Sequence, residues 1–151
     1  MKKIWLLVLV VFVILAAIFF LRPKTSTLPN DQTSTPTVTP KPTDITASFE
    51  IVTLGTKRIF TSTMYHNLST DVYISAADPN QVHVKKEGTT WTDFFATLPM
   101  KLSKDCLTTG TGQTFCSNDS QRLKFFINDK EDPSALDKEI NEGDKLLVTY
   151  E

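Results

Sequence analysis

The chain has 151 residues, 40% of them hydrophobic, with 16 Lys and Arg against 17 Asp and Glu for a formal net charge of −1. From Ile45 onward the count is 11 basic against 15 acidic residues, a net charge of −4. A mildly acidic body of this size argues against a nucleic-acid partner, which needs a basic face, and it can bury one hydrophobic core but not two.

Ile4 to Leu21 is an unbroken apolar run, flanked by Lys2 and Lys3 on one side and by Arg22 and Lys24 on the other. As a helix it would span about 27 Å, close to the hydrocarbon thickness of a bilayer. A cleaved leader would need a small-x-small site after the run, but Phe19, Phe20, Leu21, Arg22 and Pro23 stand there. With no cysteine near its end, a lipoprotein anchor is also excluded. A retained membrane span within residues 1–22 is therefore expected. The flanking charges set its orientation only weakly. The linker and cysteines downstream favour a cytoplasmic N-terminus and an extracytoplasmic body.

Residues 23–45 read as a linker dominated by Thr, Pro and Ser, with almost nothing apolar to offset the entropy of ordering it. Its prolines favour extended segments with a reach of about 70 Å. A Thr/Ser/Pro stretch also has the composition of an O-glycosylated stalk. Residues 46–151 then form the expected folded domain.

Within that domain, short strands are predicted at Phe49–Leu54, Arg58–Tyr65, Asp71–Ser75 and Gln81–Lys85, from β-branched and aromatic residues between turn signals. One helix follows over Trp91–Leu98. Thr90 and Asp93 are spaced as a capping box, and Trp91, Phe94, Phe95 and Leu98 share one face. At about two turns the helix is too short to survive alone, so it must lie on a sheet. Further strands are predicted at Lys101–Leu107, Gln113–Ser117, Arg122–Asn128 and Lys145–Tyr150, with a turn of helix near Pro133–Leu136 and a tight turn at Asn141–Asp144.

The segment LKFFINDKEDPSALDKEINEGDKLLVTYE resembles the last third of β-grasp, ubiquitin-like proteins, including the sulfur carriers of thiamin and molybdopterin synthesis. The likeness rests on a strand ending Ile127–Asn128–Asp129–Lys130 and on a Glu142–Gly143–Asp144 turn feeding Leu146–Leu147–Val148. It implies an α+β fold in which a mixed sheet wraps one short helix. Those carriers act through a terminal Gly-Gly, whereas Thr149–Tyr150–Glu151 stands here, so sulfur transfer is not implied. As a whole the chain resembles small single-span β-grasp proteins of the bacterial envelope, which implies a location and a fold but no activity.

Cys106 and Cys116 are the only cysteines, and Gly110 and Gly112 between them mark a hairpin tip. Two strands leaving that tip would set the cysteines opposite each other, and a disulfide is expected in an oxidising compartment. Nine intervening residues do not make a redox-active C-x-x-C. His66 and His83 lack metal-ligand spacing, either with each other or with the cysteines, and no metal or cofactor is expected. Nor is there a nucleophile motif such as G-x-S-x-G or S-x-x-K. The acidic residues between Asp129 and Asp144 lack the calcium-loop pattern and read as a solvated rim.

Adjacent Phe125 and Phe126 must point to opposite faces of a strand. Covered by another loop, Phe126 is packing alone, and that is the preferred reading; left exposed beside Arg122 and Lys124, it is the candidate binding surface, suited to a sugar ring or a partner strand. The sequence thus points to a membrane-anchored, non-enzymatic binding or scaffolding module for an envelope protein or glycan. An accessory subunit of a membrane assembly is the alternative, and an envelope hydrolase ranks third.

Overall fold

The computed structural model describes residues 42–151. The span expected at Ile4–Leu21 and nearly all of the linker lie outside these residues. Among the described residues no helix is long and apolar enough to cross a membrane.

The domain is α+β, with a mixed sheet and one short helix. At its centre β1 (Pro42–Thr53) runs parallel to β10 (Lys145–Tyr150), with Phe49 opposite Leu146 and Ile51 opposite Val148. On the far side of β1 lies antiparallel β4 (Gln81–Lys86), and beyond it β3 (Val72–Tyr73). On the far side of β10 lies antiparallel β8 (Leu123–Ile127), and beyond it β9 (Lys130–Glu131). The order is thus β3-β4-β1-β10-β8-β9, and β2 (Thr56–Lys57) folds back on the end of β1.

Alternation builds one buried face. Phe49 and Ile51, Val82 and Val84, and Leu146 and Val148 point inward, while their neighbours in sequence lie on the opposite face. The helix α1 (Trp91–Thr97) covers the inward face with Trp91, Phe94 and Phe95. Its capping box forms as the spacing predicted: the Asp93 amide donates to Thr90 Oγ1, and the Thr90 amide donates to Asp93 Oδ2. Phe49 sits at the junction, with ring centroids 4.8 Å from Phe60, 5.1 Å from Phe94 and 5.7 Å from Phe95.

A second, three-stranded sheet joins β5 (Lys101–Leu102), β6 (Cys106–Thr108) and β7 (Thr114–Cys116) in a meander. Cys106 and Cys116 are direct cross-strand partners with Cα atoms 4.1 Å apart, joined by a disulfide.

Three sequence expectations need correction. The strand β1 begins at Pro42, so residues 42–45, read as linker, belong to the sheet. The strand expected over Lys101–Leu107 is two strands. Its middle turns because the Ser103 amide donates to the Cys106 carbonyl and the Cys106 amide returns to Ser103 Oγ.

The largest departure is Arg58–Tyr65, which is not a strand. After β2 the chain leaves the sheet, buries Phe60, exposes Ile59 and makes a 3-10 turn at Thr63–Tyr65. The edge of β1 that this segment would need is occupied by Asn80, whose carbonyl accepts from the Phe49 amide and whose Nδ2 donates to the Phe49 carbonyl. β-propensity without a free neighbour to pair with does not make a strand.

Candidate functional site

The end of β1 nearest Thr53 opens onto a cleft of about 190 Å³. Buried Ile51, Phe60 and Leu107 form its apolar floor, and Tyr65 and Met100 its side. The tip of the β6–β7 hairpin, Thr109 to Thr111, forms the opposite wall. That tip must come close, and Gly110 permits it: a Cβ there would lie 2.6 Å from Tyr65 Oη and 3.0 Å from the Pro99 carbonyl oxygen.

The rim is cationic. Lys57 bonds Glu50 across the hairpin at 2.6 Å. Arg58 donates from Nε to Thr53 Oγ1 at 2.6 Å and from a terminal nitrogen to Gln113 at 3.1 Å. Its guanidinium carbon lies 4.8 Å from the centroid of the Phe115 ring, so one arginine ties the main sheet to the hairpin. Beside the cleft Ile59 is 72% exposed and Met64 41% exposed. No carboxylate or imidazole lines the cleft. Its side chains can hold an apolar group beside a positive charge.

The three residues chosen from sequence lie elsewhere. Phe126 is half-buried on the face opposite the helix, next to Leu147 and Glu131. Lys124, on the same face, donates to Glu151 at 2.8 Å, and that hydrogen bond raises its pKa above the ordinary lysine value. Arg122 is exposed, and its side chain makes no ion pair among the described residues. Arg122 and Lys124 also line a second groove of about 460 Å³ along β8, between the base of the hairpin and Glu131–Pro133.

His66 and His83 are spent on local contacts. His66 Nε2 hydrogen-bonds the Phe60 carbonyl at 2.8 Å, and His83 stacks on Tyr73 with centroids 5.1 Å apart. The disulfide removes both thiolates as ligands, and among the described residues no three His, Cys, Asp or Glu side chains converge to hold a metal ion.

Several carboxylates of the acidic rim turn out to be acceptors for backbone N–H groups. Glu142 accepts from the Thr46 amide at 2.7 Å, Glu139 from the Gly88 amide at 2.9 Å, and Asp144 from the Asn141 amide at 3.0 Å. Asp132 accepts from Lys138 and from the Ser134 hydroxyl and amide, and these bonds hold its carboxyl at a pKa of about 2. Sequence reading missed the Ile59 cleft because its walls come from segments that only the fold brings together.

Fold and cleft define a small disulfide-bonded domain, β-rich with a single helix. Compared with family models, curated proteins and solved structures, the chain finds no match in any of the three.

Proposed function

We propose that this chain is a single-pass membrane protein whose extracytoplasmic β-grasp domain is a non-enzymatic binding module for an envelope protein. Support for the grasp reading comes from topology. A hairpin-like pair (β1, β4) and a second antiparallel set (β8, β9) flank a parallel β1–β10 centre, and the only α-helix among the described residues covers one face. The disulfide supports the extracytoplasmic reading, since such bonds persist in oxidising compartments.

The observation that carries the binding reading is the cleft with Ile59 and Met64 exposed beside it. Large apolar side chains grouped around a concave apolar floor mark interaction sites more than chance exposure does. The chain enters the domain at the Pro42 end of β1, and the cleft lies at the Thr53 end.

A photo-crosslinking residue at Ile59 of the full chain in cells tests this. One discrete envelope adduct is expected from Ile59, none from exposed Glu87, and loss of an adduct from Met64 when Ile59→Glu is introduced. Identical adducts from Ile59 and Glu87, or a domain shielded from protease added outside the membrane, would overturn it.

A further inference from the structure

Of the two cations at the rim of the Ile59 cleft, only Lys57 has a carboxylate partner, Glu50 at 2.6 Å. Arg58 is half-buried and makes no ion pair among the described residues. A partly desolvated charge is normally matched by an opposite one. Here neutral contacts fix the guanidinium instead. Nε donates to Thr53 Oγ1, a terminal nitrogen donates to Gln113, and the group lies over the Phe115 ring. Those hydrogen bonds use two of the five N–H groups of the fork, so three are held in place without a partner among the described residues.

The cleft has a second unused donor in Tyr65. Its ring packs edge-on against Phe60 with centroids 5.1 Å apart, and its Oη has no hydrogen-bond partner among the described residues. Tyrosine hydroxyls removed from bulk water ordinarily find one. An aligned guanidinium and a spare phenol on a cleft lined by no carboxylate are completed by an anion.

Size narrows the choice of anion. At about 190 Å³ the cleft exceeds the cavity of about 150 Å³ that admits benzene and falls short of the pockets of about 300–1,000 Å³ that enclose a drug-sized molecule. It has room for one large apolar side chain on Ile51, Phe60 and Leu107, and not for a long acyl chain. The anion must then stand within a few atoms of that side chain. In an extended peptide the adjacent side chains point away, and the next on the same side is about 7 Å along. A C-terminal residue differs, because its carboxylate and its side chain share one Cα.

We propose that the cleft captures the free C-terminus of an extended polypeptide ending in a large apolar residue. The last side chain lies on the Ile51–Phe60–Leu107 floor, and the terminal carboxylate accepts from Arg58 and Tyr65. Charge-assisted bonds supply affinity, and the shared Cα supplies selectivity for chain ends over internal acidic residues. Chain-end capture rests on the Ile59 cleft being the partner site and requires the envelope partner to present a terminus outside the membrane.

The test uses the full chain in detergent micelles, carbon-13 labelled at its methionine methyls, and the peptide Gly-Ser-Thr-Val-Leu with a free or an amidated C-terminus. Met100 lines the cleft, Met64 stands beside it, and Met1 is the internal control. The free acid should shift the Met100 methyl and leave Met1 unmoved, and the amide should bind at least tenfold more weakly. One glycine added after the leucine should cost about as much as amidation. Arg58→Gln should erase the preference for acid over amide, and Arg58→Lys should restore part of it. Equal binding of acid and amide by the unaltered chain would sink the proposal, and that comparison needs no variant to fold. So would an unmoved Met100 at millimolar peptide. Octanoate binding as tightly as the acid would assign the cleft to acyl anions and overturn the proposal as well. If Ile59 still cross-links one envelope protein while acid and amide bind alike, chain-end capture alone falls. Loss of both would take the cleft reading with it.

Discussion

In the large sheet the central pairing joins Ser48 to Lys145, strands drawn from opposite ends of the described residues, and a helix from the middle of the chain covers them. In the three-stranded sheet every pairing joins neighbours in sequence, and a disulfide closes the innermost turn. The first region is stabilised by burial: Trp91, Phe94, Ile51 and Val148 are almost wholly removed from water. The second buries only Leu107 fully and is too small to hold a core of its own. It is stabilised by a covalent bond and by what it leans on, with Phe115 against Tyr150 at 5.4 Å and the Tyr150 hydroxyl donating to the Cys116 carbonyl at 3.1 Å. Distant pairing must be secured by many apolar contacts, whereas a local hairpin can be secured by one bond.

Breaking the core should do the most. Phe49→Ala removes a ring packed against three others, and an effect of about 3–5 kcal/mol is expected in urea unfolding. Replacing both cysteines by serine should cost about 2–3 kcal/mol, because the disulfide closes a short loop. If the two regions are held as described, amides of the hairpin should also exchange faster in that variant while those of β1 and β10 lose protection only in step with global stability. Uniform loss would show that the hairpin is not a separate unit.

Gly110→Ala should cost about 1–2 kcal/mol, since the added methyl meets Tyr65 Oη and the backbone at Pro99, and one of those must move. The same change should widen the cleft, so cross-linking from Ile59 should fall by more than stability alone explains.

The smallest effect is at Asp132. Its folded pKa of about 2 lies below the ordinary value of 3.8, so its contribution is present above pH 4 and is lost as pH falls toward 2. Asp132→Asn should flatten that part of the acid-unfolding curve and leave the stability profile above pH 5 unchanged in shape. An unaltered acid limb would mean that the Lys138 contact is screened to nothing in solution.

The helix and the disulfide were legible because both are local. Thr90 and Asp93 are three positions apart, and a hairpin tip between two cysteines fixes their approach with little help from the rest of the chain. The inward and outward faces of β4, β8 and β10 were likewise readable from alternation. Arg58–Tyr65 was not, because its residues favour a strand and only the presence of Asn80 on the neighbouring edge denies them one. The acidic rim was read as solvated because a sequence does not show which backbone amides will lack partners.

Length bounded the body to a single core, and patterning and spacing by themselves gave the short strands, the capped helix and the cross-linked hairpin, since these last depend on residues close together in the chain, whereas the α+β class rested on the β-grasp resemblance. Tertiary structure alone decided that β1 and β10 lie side by side in parallel, that Arg58 bridges two sheets, and that the hairpin tip walls the cleft. Those outcomes depend on which distant segments compete for the same edge or the same cavity, and that competition is resolved only when the whole core closes.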